Sequence, residues 1–494
     1  MRLVPLFILI PFITAVIISL FNRVNRKIID WIAVFATFVS VIVSSLMLMR
    51  INSSGPIVYN VAGWIPPVGI NFVVDGLSVF MLLLVSVLSF LFILYSMDYM
   101  NQFENKWQYY VLFLLAVTGM NGVLLSGDLF NLFIFFEITS ISSYALVSFS
   151  CESDSFEAAF KYIIFGVITS VCILLAIALI YAKTSTLNLA YISQSLDRSN
   201  SLSIMFILFL IILGVSIKTA LVPFHAWLPD TYTAAPAPVS ALLSGLISKT
   251  LGIYVIIRIF YNVIGVNQTI LSIFTYLGIF SMVIAVILAL YQWDFKRLLA
   301  YHSISQIGYI ILGLGLGTPL GILGGLFHLI NHSVFKSLLF LNAGSVEKST
   351  GIRSLKDLGG LSRQMPVTAA TSMVASMSIS GIPPFNGFWS KLIIIAACIE
   401  SGHYWFALIA VLVSILTLSS FLKVQRYVFS GYLKNLMETV RESPLSMTIP
   451  MIILSIFCIF MGLLLLPGLD SGYLKLAVNT VLQGTDYAKF VIGK

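Results

Sequence analysis

The sequence predicts an all-α membrane protein that crosses the bilayer with about fourteen helices joined by short loops. Hydrophobic residues make up 59% of its 494 residues and charged residues only 9%, whereas a soluble domain carries about 25% charged residues. Apolar runs of roughly 20 residues, long enough to cross a hydrocarbon core of about 30 Å, recur along the whole chain. The segments between these runs are too short to form a soluble domain.

Each apolar run is interpreted as one membrane-spanning helix. The first run lacks a small-residue cleavage site and is followed at once by a second, so we expect it to be retained and not removed as a signal peptide. The twelfth run is too long for one span and contains Gly381-Ile382-Pro383-Pro384 in its middle, which predicts a broken helix. The predicted helices are Leu3–Phe21, Ile28–Met49, Val73–Ser96, Trp107–Ser126, Leu129–Ser150, Phe156–Ala182, Ser203–Leu221, Pro238–Phe260, Thr269–Tyr291, Leu298–Leu316, Leu320–Ala343, Pro366–Glu400, Tyr404–Val428 and Met447–Leu466.

Several classes of site find no support in the sequence. The four cysteines lie in or beside apolar runs without CxxC spacing, so neither zinc nor an iron–sulfur cluster is expected. The formal charge of +8 is not concentrated in a dense basic patch, so nucleic acid is not an expected partner. Motifs for serine-histidine-aspartate catalysis, phosphate loops and dinucleotide binding find no support either. We therefore expect no metal and no cofactor.

The basic residues are distributed unevenly over the loops. With fourteen spans, one set of alternate loops holds 14 lysines and arginines, among them Lys106 and Lys296. The other set, together with the termini, holds 8, among them Arg258. The positive-inside rule makes the richer set cytoplasmic and places both termini outside. Five lysines remain, and all of them fall within apolar runs.

Six ionisable residues are therefore predicted to lie inside the membrane. They are Glu137, Lys161, Lys218, Lys249, Lys336 and Lys391. Each costs about 2.5–3.5 kcal/mol at mid-membrane on insertion scales, so six unpaired charges would cost roughly 15–20 kcal/mol. A set this costly indicates a function, because intramembrane ionisable residues are typical of proton and ion pathways.

Each lysine also has a purely structural interpretation. Lys161 and Lys391 could extend their amines to the membrane surface, and the deeper lysines could form ion pairs that brace the helices. Glu137 is the expected partner of Lys218 or Lys161, but one carboxylate cannot neutralise five amines. Most of these lysines must then be neutral or lie beside water, and such amines can exchange protons, which an arginine cannot because it stays charged. A passive structural subunit remains the alternative.

Histidines extend the array of titratable groups. His328, His332 and Lys336 are spaced at i, i+4 and i+8 and so share one face of a helix. Two histidines at this spacing could ligate a metal, but no third ligand is evident, and the pattern favours a proton relay. His225 and His302 lie near predicted helix ends, where His302 could be an ordinary interfacial histidine.

Two short segments occur twice in the same order. Phe160–Phe165 matches Phe335–Phe340, and Pro223–Trp227 matches Pro384–Phe388. The copies lie five helices apart, an odd number, so they cross the membrane in opposite directions. An inverted repeat of this kind is typical of ion-coupled transporters.

The repeat divides the chain and places two helix breaks. Proline has no amide hydrogen, so Pro223 frees the carbonyl of Thr219 and Pro384 that of Ser380. These breaks, in helices 7 and 12, are expected to adjoin hydrated cavities. The predicted units are residues 1–106 with helices 1–3, residues 107–260 with the first five-helix repeat, residues 261–430 with the second, and residues 431–494 with the last helix and tail.

Three motifs resemble the antiporter-like family. They are Phe136-Glu137 with Ser140–Tyr144, Lys218-Thr219-Ala220 running into Val222–Asp230, and Ala235–Ala241. The family comprises the large subunits of Mrp-type cation/proton antiporters, the three proton-pumping membrane-arm subunits of respiratory complex I, and related subunits of membrane-bound hydrogenases. The resemblance covers about Val73 to Val428. It implies fourteen helices with two inverted five-helix units.

The resemblance also implies roles for the titratable residues. Glu137 with Lys218 would be the charge pair of the first half-channel and Lys249 the central relay. The link would be formed by His328 and His332 with Lys336, and Lys391 would be the terminal exchange site. Lys161 has a counterpart in the smaller complex I subunit. We expect Lys218, Lys249, His328, Lys336 and Lys391 to form one chain along the membrane midplane, joined by water where gaps are wide.

Within the family, the D-type member of Mrp antiporters and its hydrogenase counterpart are the most similar. Phe388–Leu392 and the whole of Pro223–Ala241 are closer to these, and one complex I subunit carries glutamate where this chain has Lys391. The alternative is a membrane-arm subunit of complex I, the NADH:quinone oxidoreductase. The resemblance implies a transporter subunit without a redox centre, in a bacterial or archaeal inner membrane. It would work with other membrane subunits on protons and Na⁺, within a stand-alone antiporter or an oxidoreductase complex.

Overall fold

A computed structural model of the chain describes residues 3–21, 25–196, 201–432, 437, 439–466 and 472–492. Most of these residues are helical, and the helices are numbered in chain order. Two short strands lie between the second and third helices. The helices are α1 Leu6–Leu20, α2 Arg26–Ser54, α3 Gly76–Tyr99, α4 Lys106–Leu125, α5 Leu129–Val147, α6 Ser153–Thr184, α7 Leu189–Ser195, α8 Leu202–Thr219, α9 Trp227–Ala234, α10 Ala237–Ile264, α11 Gln268–Leu290, α12 Phe295–Gly315, α13 Pro319–Thr350, α14 Pro366–Ser380, α15 Asn386–Glu400, α16 Tyr404–Val424, α17 Leu445–Phe460, α18 Leu474–Leu482 and α19 Tyr487–Ile492.

The long apolar helices confirm a polytopic membrane protein. Within the described ranges, 12 helices are long and apolar enough to cross a membrane, namely α2 to α6, α8, α10 to α13, α16 and α17. Helix α1 is a shorter apolar helix of 15 residues, and α14 and α15 have 15 residues each. The number of fourteen spans stays a prediction. Helices α10, α12 and α13 are almost entirely buried, so they form the centre of the bundle.

The two predicted helix breaks are confirmed at matching positions of the repeat. Helix α8 ends at Thr219, and the next residue, Ala220, has a left-handed backbone with φ 56°. Helix α14 ends at Ser380, followed by Gly381 with φ 78°. Each break is followed by a second half-helix, α9 or α15. Both copies therefore end their first half-helix in the same backbone conformation, which agrees with the predicted repeat.

A β-hairpin adds an element that the prediction of an all-α chain omitted. Strand β1, Ile57–Asn60, pairs antiparallel with β2, Asn71–Val74, with Ile57 opposite Val74. The hairpin falls in a loop between apolar runs, where helical periodicity carries no information. Helix α18 packs against α3, and α19 packs against α7, so the chain's last helices cover the same end of the bundle.

Three basic residues that the sequence assigned to loops are buried in ion pairs. Arg258 donates from Nη2 to Oδ1 of Asp75 at 2.9 Å, and its Nη1 atom lies 2.7 Å from Oδ2 in the same ion pair. Lys106 pairs with Asp30 at 2.7 Å, and Lys296 pairs with Glu347 at 3.1 Å. The loop assignment of these bases was wrong because each lies within a helix at a point where a carboxylate meets it. Glu137 is accordingly not the only acidic residue inside the bundle.

We expect Arg258→Gln to lower the stability of the protein markedly. The substitution leaves the buried Asp75 carboxylate without its counter-charge, and such a loss costs about 3–5 kcal/mol. The measurement is thermal unfolding of the purified protein in detergent. Lys489→Gln is the matched control, because its ion pair with Asp486 is exposed and exposed pairs contribute only about 0–1 kcal/mol. Equal melting temperatures for both variants would contradict a bracing role for Arg258.

Candidate functional site

Helix α13 carries the predicted histidine–lysine stripe through the centre of the bundle. His328, His332 and Lys336 are all fully buried, on the shared helix face that the i, i+4, i+8 spacing predicts. The two imidazole rings are parallel, with centroids 6.3 Å apart. In the described part of the chain, no group of three or more histidine, cysteine, aspartate or glutamate side chains could hold a metal ion. The stripe therefore offers titratable nitrogens in series.

Four buried lysines share one unusual property. Their amines donate only to uncharged oxygens, and none of the ion pairs among the described residues includes them. All four side chains are at most 3% exposed, so none of them points toward lipid. The amines and their acceptors are Lys218 with the Ser140 hydroxyl (2.8 Å), Lys249 with the Ser244 carbonyl, Lys336 with the Leu299 carbonyl, and Lys391 with the Ile379 carbonyl (2.7 Å) and the Ser414 hydroxyl (3.1 Å).

Lys218 lies in a box of aromatic rings at the end of α8. Its amine is 5.2 Å from the ring centroid of Phe136, 5.5 Å from Tyr144 and 5.0 Å from Tyr162. Ring faces attract a cation but do not neutralise it. The box can therefore stabilise the charged amine without neutralising its charge as a carboxylate would.

Helix α10 brings Lys249 close to the helices that carry two other lysines. A Cβ at Gly245 would lie 2.3 Å from the hydroxyl of Ser337, which follows Lys336. A Cβ at Gly252 would lie 2.1 Å from a methyl of Thr219, which follows Lys218. Only glycine permits these approaches. Lys249 lies between the two glycines in a π-helical stretch, Leu243–Tyr254, a rare conformation that is frequent at functional sites.

Lys391 closes the break in the twelfth span. The last four carbonyls of α14 need partners from outside the helix. The carbonyls of Met377 and Ser378 accept main-chain amides of the turn. The carbonyl of Ile379 accepts the Lys391 amine, and the carbonyl of Ser380 accepts the Ser414 hydroxyl at 2.8 Å. The hydrated cavity expected beside this break stays a prediction, and protein side chains already donate to two of its carbonyls.

A serine and a tyrosine connect the histidine stripe with Lys391. The Nδ1 atom of His328 lies 2.9 Å from the Ser390 hydroxyl. The ring of Tyr309 lies between the two groups, 5.5 Å from the His328 ring and 4.9 Å from the Lys391 amine. His328, Ser390 and Lys391 thus lie in one continuous polar region beside the helix break.

Glu137 and Lys161 lie at the edge of this array. The Glu137 carboxylate accepts the Ser170 hydroxyl at 2.5 Å and forms no ion pair with Lys218, which donates to Ser140 one turn further along α5. Lys161 is 41% exposed and pairs with Glu157 and Asp230 instead. The predicted contact pair of Glu137 with Lys218 or Lys161 is therefore wrong, because a serine and other carboxylates occupy those positions.

Sequence reasoning missed two buried side chains on α12. His302, interpreted as interfacial, is fully buried, and Gln306 lies one turn further on. Both ring nitrogens of His302 and of His332, and both amide atoms of Gln306, lack a hydrogen-bond partner among the described residues. Buried polar groups are nearly always hydrogen-bonded to protein or water. These side chains of α12 and α13 therefore offer several buried polar atoms to which water could bind.

Comparison with known proteins assigns the chain to a family. Residues 126–417 match the family model described as "NADH:quinone oxidoreductase/Mrp antiporter, TM". Residues 64–110 match "NADH-Ubiquinone oxidoreductase (complex I), chain 5 N-terminus". The chain belongs to the NADH:quinone oxidoreductase/Mrp antiporter family. All four unpaired lysines, the histidine stripe and both helix breaks lie within the first of these matches.

Named members of this family that resemble the chain come from two kinds of complex. The chain is 32% identical to the D-type subunit of the Na⁺/H⁺ antiporter of Alkalihalophilus pseudofirmus over 99% of both chains. It is 35% identical to the N-type subunit of the NADH-quinone oxidoreductase of Desulforudis audaxviator, over 82% of this chain and 84% of that one. Among solved structures, a chain of the Mrp complex from Dietzia sp. superposes with a TM-score of 0.91 at 28% identity, covering 100% of this chain and 99% of that chain.

We expect Gly381→Ala to disturb the site more than Gly402→Ala. Both glycines have positive φ, 78° and 76°, so both substitutions cost about 1–2 kcal/mol of backbone energy. A Cβ at Gly381 would also lie 3.0 Å from Lys391 Cδ and 3.2 Å from Ser414 Oγ, whereas at Gly402 no described atom lies within 4 Å. Crowding adds about 1–3 kcal/mol at Gly381 only. Thermal unfolding of the two variants is the measurement. Equal losses of stability would show that the Lys391 and Ser414 side chains can move away from the added methyl group without a loss of free energy.

Proposed function

We propose that this protein is a proton-translocating subunit of a multisubunit cation/proton antiporter, of the D type. Its partners are other membrane subunits of the same complex, in a bacterial or archaeal cell membrane, and its substrates are protons, exchanged by the complex for Na⁺. The named relatives support this assignment, since one is the D-type subunit of a Na⁺/H⁺ antiporter and matches over 99% of both chains.

The observation that carries the proposal is the contrast between two groups of buried bases. Arg258, Lys106 and Lys296 each have a carboxylate and brace the bundle. Lys218, Lys249, Lys336 and Lys391 have none in contact among the described residues. An isolated charge is expensive in an apolar interior, so a buried amine without a counter-charge can release its proton. A set of such amines is suited to passing protons and poorly suited to bracing helices.

The order of the groups suggests a path through the protein. Protons would pass from the region of Glu137 and Lys218 to Lys249, which α10 holds beside the helices of both neighbouring lysines. From there they would reach Lys336, His332 and His328 on α13. Lys391, at the break between α14 and α15, would be the terminal exchange group. Water between α12 and α13 would bridge the gaps that direct contacts leave.

A second candidate is a membrane-arm subunit of a quinone oxidoreductase, favoured by the match to the N-type subunit of an NADH-quinone oxidoreductase. The two candidates differ in what drives transport. Inverted membrane vesicles containing the protein, co-expressed with the products of its neighbouring genes, should dissipate an imposed pH gradient when NaCl is added. Acidification that requires NADH and quinone, without a response to NaCl, would favour the oxidoreductase. A response to neither would favour a passive structural subunit.

We expect Lys391→Arg to assemble normally yet to transport poorly, with Lys391→Ala no better. Arginine keeps the charge and the approximate reach to the Ile379 carbonyl, but it does not release its proton at physiological pH. The measurement is the NaCl-induced change of pH in inverted vesicles, with complex assembly followed in parallel. Lys489→Arg, an exposed exchange of the same kind, is the control. Wild-type transport by the Lys391→Arg variant would show that Lys391 contributes only a fixed positive charge. The exit of the proton path would then lie at another residue.

We expect Glu137→Gln to reduce transport strongly and to leave assembly intact. The carboxylate lies one turn of α5 from Ser140, which accepts the Lys218 amine at 2.8 Å, so its neutralisation removes a negative charge from the neighbourhood of that amine. The hydrogen bond from Ser170 survives, because the amide oxygen of glutamine still accepts it. Ser170→Ala is the control, since it removes the hydrogen bond and keeps the charge. If the two variants are equally impaired, the hydrogen bond and not the charge is what matters.

A further inference from the structure

Helix α9 contacts the surroundings of three of the four unpaired lysines, although it has only eight residues. Its Trp227 ring stacks on Tyr162, with centroids 4.5 Å apart and planes within 8°, and Tyr162 is one wall of the Lys218 box. The Trp227 indole also donates to the carbonyl of Ile217 at 3.0 Å, directly before Lys218. One end of α9 thereby covers the aromatic box from outside.

The other end of α9 reaches the remaining two lysines through Tyr232. The Tyr232 hydroxyl donates to the Ser248 hydroxyl at 3.4 Å, and Ser248 precedes Lys249. The edge of the Tyr232 ring meets Phe340 at 5.8 Å between centroids, and Phe340 lies 5.5 Å from the Lys336 amine. Trp227 and Tyr232 are both at most 2% exposed, so a displacement of α9 would disturb all three sites.

The outer face of α9 is held by charges. Asp230, its only charged residue, accepts Lys161 of α6 on one oxygen and Arg297 of α12 on the other, both at 2.7 Å. We call these three residues the Asp230 clamp. Lys161 belongs to the first predicted repeat and Arg297 to the second, so the clamp ties both halves of the protein to α9. Two further bases hold the carbonyls at its end: Arg353 donates to Thr233 at 3.3 Å and Lys296 to Ala235 at 2.8 Å.

The clamp is built so that it can open. Its side chains are between 24% and 41% exposed, and partly exposed ion pairs contribute little to stability. It lines a cavity of about 170 Å³ on the face that carries Arg297 and Arg353. Without the aspartate, the Lys161 and Arg297 cations would be left near each other with no carboxylate between them.

We propose that Asp230 is a positioning residue for proton transfer, because its two ion pairs hold α9 as an aromatic cover over Lys218 and against the surroundings of Lys249 and Lys336. Opening of the clamp loosens this cover and admits water from the cavity side. The effect of Asp230 on transport rests on the proposed function. The restraint of α9 by Asp230 follows from the contacts alone. It also gives Lys161 a role outside the path of the proton, as one arm of the clamp.

The test compares Asp230→Asn with Glu157→Gln in the assembled complex. Glu157 is the matched control, because it lines the same cavity and also pairs with Lys161 at 2.7 Å, yet it lies on α6 and does not hold α9. Hydrogen–deuterium exchange of residues 225–236 reports on α9, and NaCl-induced pH change in vesicles reports on transport. Asp230→Asn should speed exchange in this segment roughly threefold or more and lower coupled transport to a similar degree.

The remaining outcomes each decide the proposal. Glu157→Gln should change neither readout, and Asp230→Glu, which keeps the charge, should restore both toward wild type. Unchanged exchange in Asp230→Asn, or faster exchange with wild-type transport, would overturn the positioning role. If Asp230→Asn does not accumulate, Arg297→Gln removes one arm only and should shift both readouts in the same direction by less. If the wild-type complex moves no protons, the proposed function fails, while the exchange data still decide whether Asp230 holds α9.

Discussion

The cost of placing charge in an apolar bundle governs the organisation of this protein. A buried base can avoid that cost with a carboxylate or by giving up its proton. The structure keeps the two kinds of buried base apart. Arg258, Lys106 and Lys296 have a carboxylate, near the ends of the helices that they join. The lysines of the candidate path have only hydroxyl and carbonyl oxygens as direct acceptors among the described residues, an environment that favours release of the proton.

This separation depends on close packing around α10. Glycines on either side of Lys249 let the helix approach α8 and α13 at the residues next to Lys218 and Lys336. A larger residue at either glycine would move one lysine-bearing helix away and lengthen a gap in the proposed proton path. The same helix carries Arg258 nine residues after Lys249, so its position is anchored by an ion pair that takes no part in the proposed path.

Different side chains bind the carbonyls that are left without helical partners at the two helix breaks. Both leave carbonyls at the end of a half-helix, and both sit in the same place of the repeat. In the first copy the carbonyl of Ile217 accepts both the Ala220 amide and the Trp227 indole, so an aromatic ring packs against the break beside Lys218. In the second copy the Lys391 amine and the Ser414 hydroxyl bind the last two carbonyls of α14. A titratable group therefore forms part of the second break itself, whereas in the first it lies beside the break and under an aromatic cover.

The sequence by itself determined the class of fold, the apolar helices, the two breaks and the burial of Lys218, Lys249, Lys336 and Lys391. These follow from composition, periodicity and the chemistry of proline, all of which are local along the chain. Only the tertiary structure decided the partners. Asp75 and Arg258 meet across 183 positions, Glu137 meets Ser170 and not a lysine, and Lys161 lies at the surface. Such pairings depend on which helix faces meet, and hydrophobic patterning does not specify that when nearly every face is apolar.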